Sequence, residues 1–390
     1  MIREKARQKI LQLPVFQPEA IPPSLLELPP KSQLSTLSSI DSHRLAEFAH
    51  CLVFVDGEFS LELSTLPQDI ICLPLELAFQ SYGSFLHNRW AKVLQGEKDF
   101  FALQNAAEYG KGAFVYIPPK VSASLQVLNL LTQETLAVPR LEITLGKQAE
   151  LDLAQTVVAS HSLVCMNSAI DFTLDAAAKV HFLDVNQLGV QARVFFSMRA
   201  ALKRDARLDM LSLTRGAGLL RNTYSVELAE ENSSVSLRSL AMLDETRRAH
   251  FHVLVDHAAP HTTSNQHFKS ILKEASSSSF DGKIFVRPIA QKTMAYQLNN
   301  NLLLSDEAKA LSKPNLEIFA DDVKASHGST VAQLSEEELF YFRSRGLSEQ
   351  EAKVLLSFGF CQELIEAVKY ESIRASFTET MEQVLSEHAL

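Results

Sequence analysis

The chain has 390 residues, 46% hydrophobic and 21% charged, which is a globular composition without a long disordered tail. Its 37 Lys and Arg against 46 Asp and Glu leave a formal net charge of −9, the wrong sign for gripping phosphate backbones, so nucleic acid is set aside as a main partner. A membrane and a disulfide framework are set aside too. No apolar run approaches bilayer length, the charged first nine residues lack the core of a secretory signal, and Cys51, Cys72, Cys165 and Cys361 never form a CxxC pair. The reading is a cytoplasmic protein with reduced thiols.

Residues 1–112 read as a mixed helical region. Leu45-Ala46-Glu47-Phe48-Ala49 looks helical, and Leu52-Val53-Phe54-Val55-Asp56-Gly57-Glu58-Phe59 predicts a hairpin with Asp56-Gly57 at positive φ. A helical pattern then runs from Leu75 to Tyr109, with Trp90, Val93 and Leu94 among its apolar positions. Gly110-Lys111-Gly112 lacks the length and following helix of a phosphate loop. Ala113-Phe114-Val115-Tyr116-Ile117 predicts a short strand closed by Pro118 and Pro119.

Residues 113–332 differ in kind. A leucine, a turn, a small residue and then apolar-x-apolar recur with a period of roughly 27–29 residues, in the range of stacked arrays. Leu145 leads to Ala149, Leu151 and Leu153; Leu174 to Ala178, Val180 and Phe182. Leu202 leads to Ala206, Leu208 and Met210; Leu228, with one extra residue, to Ser233, Val235 and Leu237. Alternation makes each segment a half-buried strand, and so short a unit closes a core only by stacking on its neighbours. With 13 Gly in all, the chain lacks the glycine-rich hairpins of a propeller or sandwich. A mainly β protein with a β-helix core is predicted, with Ser276–Ser279 and Asn299–Asn301 at its turns as polar ladders.

Residues 333–390 read as a helical domain. Ser335-Glu336-Glu337-Glu338 and Ser348-Glu349-Gln350-Glu351 both have capping-box form, Gly346 marks a helix end, and Phe377, Met381, Val384 and Leu385 follow helical spacing.

An ordered set of motifs adds a second line of argument. They are His261-Thr262-Thr263-Ser264-Asn265-Gln266, Phe280-Asp281-Gly282-Lys283, Asn301-Leu302-Leu303-Leu304-Ser305, Lys313-Pro314-Asn315 and Ala320-Asp321-Asp322-Val323-Lys324-Ala325-Ser326-His327-Gly328, followed by Arg343-Ser344-Arg345-Gly346. Together they resemble the SufB/SufD family of iron–sulfur cluster assembly scaffolds, in its SufD branch. The resemblance implies a right-handed parallel β-helix core, an N-terminal mixed helical region and a C-terminal helical domain. It also implies a non-catalytic scaffold subunit that pairs with a SufB-like protein through the β-helix and with a SufC-like ATPase through its terminal helices. ATP would act only through SufC, a transient iron–sulfur cluster would be shared with SufB, and the complex would bind reduced flavin. A homodimer is a further expected form of the isolated chain.

By the same resemblance His327 is the candidate cluster ligand at the partner interface; without it, a lone strand histidine is an ordinary hydrogen-bonding side chain. Many family members carry Cys two residues earlier, where this chain has Ala325, so no thiolate comes from that position. Arg343 and Arg345 are candidate contacts to SufC, or simply a solvated helix face. Asp321 and Asp322 as strand neighbours would point apart, which disfavours a catalytic pair. His250 and His252 share a strand face, but with His257, His261 and His267 they form no complete metal set, and hydrogen bonding is the expected role. Cys165 and Cys361, in apolar surroundings, read as packing. The rival reading is a secreted-type β-helix polysaccharide lyase or hydrolase, which needs carboxylates gathered in a lateral groove.

Overall fold

The computed structural model describes residues 2–12, 40–108 and 111–386; Tyr109 and Gly110, at the end of the predicted helical stretch, lie outside them. From His50 to Gln333 the chain winds as a parallel β-helix of about 8 turns. Successive strands alternate between two long sheets. One sheet runs from His50–Val55 to Val323–Gln333, and the other ends at Lys309–Ile318. Each sheet begins with one antiparallel strand, Glu58–Thr65 in the first and Ile71–Pro74 in the second.

The sequence repeat is the coil register. Leu145, Leu174, Leu202 and Leu228 stack in one column. Leu151, Val180, Leu208 and Val235 form a second, and Leu153, Phe182, Met210 and Leu237 a third. All of them face the lumen and are buried, each contributing on the order of 1.5–3 kcal/mol. The small residue is needed because the preceding residue turns the chain through positive φ. Gln148, Ala177, Asp205, Asn232, His261 and Lys292 all have φ of 57–62°. The backbone N–H of each donates to a carbonyl of the next coil, as Gln148 does to Ala176 and Ala177 to Arg204, so the turns form a ladder of their own.

The hairpin at Asp56-Gly57 has φ of 47° and 87°, with Val55 opposite Glu58. Three predicted features differ. Leu45–Ala49 is a turn rather than a helix, because the Gln126 side chain accepts from the Leu45 N–H and donates to the His43 carbonyl. Asn299–Asn301 and Ser277–Ser279 lie within strands rather than at turns: Asn301 donates to Asn299 Oδ1 along its own strand and Asn300 to Thr330 Oγ1 on the next. Ser348 and Glu351 form a complete capping box, whereas Ser335 only accepts from the Glu338 N–H.

Helices cover both outer faces. On the second sheet lie α1 (Ile2–Gln12), α2 (Leu75–Ser81), α3 (Gly83–Gly96) and α4 (Phe100–Ala107). Trp90, Leu94 and Leu103 gather their apolar seam, and Phe101 stacks on Phe195 at 3.7 Å. The C-terminal helices are α5 (Glu336–Ser344), α6 (Glu349–Glu366) and α7 (Glu371–Ser386). Side chains of α6 and α7, Leu364, Phe377 and Met381 among them, pack on outward residues of the first sheet such as Leu211, Leu240 and Met242. Tyr370 reaches Phe48, and the Ser372 N–H donates to Glu47, so this seam runs back to the N-terminal end of the rod.

Candidate functional site

The three columns change toward the C-terminal end, and one of them turns polar throughout. After Leu228 the first column carries His257 and then Val286 and Ile318; after Val235 the second carries Ser264, Ala295 and Ala325; after Leu237 the third carries Gln266, Gln297 and His327. The third column, apolar in its first coils, is therefore polar over its last three. Burying such groups is unfavourable unless they are hydrogen-bonded, so this change is a departure from what packing alone selects.

His257 shows how the polar part is satisfied. It is fully buried, with Nδ1 at 2.8 Å from Thr262 Oγ1 and Nε2 at 2.9 Å from Ser264 Oγ. Both ring nitrogens are thus engaged, and burial pushes the imidazole down to about 4. The sign follows from proton counting: between pH 6.5 and 4 the unfolded chain binds a proton at this histidine that the folded chain does not. Its stabilising contribution is complete above pH 6.5 and falls by about 3 kcal/mol as pH drops through that window. Urea unfolding at stepped pH is expected to show this loss in the wild type relative to His257→Leu, which restores the leucine of the column. Asp184, pushed up to about 6 by burial, acts with the opposite sign but is common to both proteins. Parallel pH profiles would refute the assignment.

The rod ends openly. The terminal strands Val323–Gln333 and Lys309–Ile318 are each paired on one side only among the described residues, leaving a row of backbone donors and acceptors on each edge. Leu311, Phe319 and Val331 are exposed on this last coil. His327 is exposed at the mouth of the lumen, in register with the buried Gln297 and, among the described residues, with no further coil above it. Ala325, two residues earlier, packs with Ala295 and Ile284 inside the last coil.

The other candidate residues lie elsewhere. Arg343 and Arg345 are exposed at the end of α5, with Arg343 at 3.8 Å from Glu349 and the Arg345 guanidinium 4.6 Å from the Tyr341 ring. Gly346 closes that helix with φ of 97°. Phe340 on α5 is 72% exposed, and Tyr341 on α5 and Leu355 on α6 are exposed too. Asp321 and Asp322 lie in a bend before the terminal strand rather than on it, and the Asp322 N–H donates to Gln291 Oε1. His250 pairs with Ser279 and His252 with Asp281 on the outer sheet face, and His267 with Asn300. Among the described residues, no group of three or more His, Cys, Asp or Glu could hold a metal ion.

Burial pushes every cysteine up, Cys51 to about 11 and Cys72, Cys165 and Cys361 to about 12. At neutral pH they are thiols in packed surroundings, not ready thiolate ligands. Sequence reasoning missed Gln297 as part of this end; the signal for it was the point where the apolar repeat stops.

The family model described as "SUF system FeS cluster assembly, SufBD core domain" matches residues 129–360, which take in Gln266, Gln297 and His327. The chain belongs to the SufBD family of iron–sulfur cluster assembly proteins. An iron–sulfur cluster assembly SufBD family protein of Synechocystis is 30% identical over 342 residues, covering 83% of this chain and 75% of that protein. The iron–sulfur cluster assembly protein SufD of Escherichia coli is 34% identical over 234 residues, covering 57% of this chain and 55% of SufD. A SufBD family protein of Mycobacterium leprae is 30% identical over 225 residues, covering 56% of this chain and 57% of that protein. The chain thus spans three-quarters of the first relative and just over half of the other two. This member of the family is SufD-like, and among its described residues no helix is long and apolar enough to cross a membrane.

Proposed function

We propose that this SufBD family member works as a scaffold subunit, joining a SufB-like partner at the open end of the β-helix and a SufC-like ATPase through α5 and α6. One observation carries the reading: His327 stands on an unpaired edge strand at the mouth of the lumen, at the end of a column that turns polar toward it. A second rod docking there would extend both sheets by backbone pairing and would bring its own ligands to face the imidazole. The iron–sulfur cluster under construction is the cargo of that seam, with His327 as the ligand from this side. Exposed Phe340, Tyr341 and Leu355, flanked by Arg343 and Arg345, suit the ATPase contact. ATP and reduced flavin enter through the assembled complex, as energy and electron sources.

The test is co-expression with the SufB-like and SufC-like chains of the same organism, comparing wild type with His327→Ala. The side chain is exposed, so stability is expected to change by no more than about 0.5 kcal/mol. The three chains should still co-purify, while cluster yield falls by about tenfold or more. An intact complex with normal yield would remove the ligand role. A chain that only self-associates would favour a homodimer over the mixed scaffold.

A further inference from the structure

The third column of the lumen holds a short ladder of amides that stops one coil below His327. Gln266 and Gln297 occupy the same column in consecutive coils, and Gln297 Nε2 donates to Gln266 Oε1 at 2.8 Å. Both side chains are buried. Each has one amide atom without a partner among the described residues, and the two differ in kind: at Gln266 the donor Nε2, at Gln297 the acceptor Oε1. The ladder is therefore directional, with its spare acceptor on the residue nearer the mouth. Leaving that oxygen without a donor is costly.

The next residue in the column is His327. Parallel strands lie about 4.8 Å apart, and in a stacked amide column each carbonyl accepts from the N–H one strand further on. Here that place is held by an imidazole. The facing sheet makes room for the arrangement at Gly282, where an added Cβ would collide with the Gln297 amide and with the Phe280 ring.

We propose that Gln297 Oε1 accepts the ring N–H of His327 in the assembled complex and so fixes which ring nitrogen is left bare toward the seam. The inference rests on His327 being a cluster ligand. A neutral imidazole has one N–H and one lone pair, and ligation requires the lone pair to face the iron. Metal-bound histidines commonly hold their tautomer through a hydrogen bond from the other nitrogen. Gln297 is thus a positioning residue that touches no cargo itself. Its buried setting, on the last fully stacked coil, holds the acceptor still while the ring above is open to the partner.

The experiment uses the full-length chain with nitrogen-labelled histidine, in complex with the SufB-like and SufC-like chains. The His327 resonances are those missing from His327→Ala. Wild type is expected to hold one tautomer. Gln297→Leu should shift the tautomer ratio about fivefold, the weight of one ordinary hydrogen bond, and lower iron affinity at the seam about tenfold. Gln297→Glu, which keeps an acceptor oxygen, should restore the wild-type tautomer. Gln297→Met, unbranched and of similar length, serves as the apolar variant should leucine prevent folding. Normal cluster yield in His327→Ala would remove the ligand reading itself. Lost yield in His327→Ala, with wild-type tautomer and yield in the apolar Gln297 variant, would overturn the positioning role alone.

Discussion

Replacing Arg140 with methionine is expected to destabilise the protein by about 3–5 kcal/mol. Arg140 is 1% exposed, beneath α3 and α4 on the outer face of the second sheet. Its guanidinium donates to Glu142 at 2.9 Å, to Asn105 at 3.0 Å and to Asp171, and lies 4.1 Å from the Trp90 ring. Arg89 pairs with Glu142 at 3.1 Å, and Arg199 with Glu97 at 3.0 Å. Three guanidinium groups thus face three carboxylates, and the cluster is neutral as a whole. Burial already pushes Glu142 up to about 7; at Asp171 burial acts the same way, but Arg140, Arg199 and Arg89 outweigh it and hold that group below the ordinary range. Methionine fills much of the volume but leaves a surplus negative charge in a dry site. Urea unfolding at neutral pH measures the loss. Adding Glu142→Gln removes the surplus and should recover part of it, so a double-mutant cycle with no coupling would show that Arg140 acts by packing alone.

Phe377→Ala should cost a similar amount, about 3–5 kcal/mol, but in a different place. Phe377 is 1% exposed in the seam that joins α6 and α7 to the first sheet. The β-helix has its own large cluster of stacked apolar lumen residues, so the loss is expected to release the helices before the coils. Hydrogen exchange should quicken across α6 and α7, with the strands around Leu208 and Leu237 still protected. Equal loss of protection in both would mean that the helices brace the whole rod. The contrast bears on assembly, because α5 and α6 carry the exposed Phe340, Tyr341 and Leu355 proposed for the ATPase contact.

The β-helix was legible because its cause is local and repeated. Leu145, Ala149, Leu151 and Leu153 recur at coil length, and a column of like residues is what stacking requires. The motifs around His327 were legible as a family resemblance, which the comparisons bear out. The helical ends were legible as elements, from the Ser348 capping box and Gly346, but not as packing. Nothing local in Leu364 or Phe377 says that their partners are Leu211 and Met242, more than a hundred residues away. The Arg140 cluster escaped for the same reason: Arg140 and Glu142 look like solvated charges until α3 and α4 cover them.

The sequence by itself determined the coil, its period and the residues that line it, because alternation and small turn residues act between neighbours along the chain. The tertiary structure decided which column turns polar, that Gln266, Gln297 and His327 share it, and that His327 is the last of the three. A column joins residues about thirty positions apart, and its register depends on how each intervening turn closes. Only the stacked coils bring such residues within reach of one hydrogen-bonded ladder.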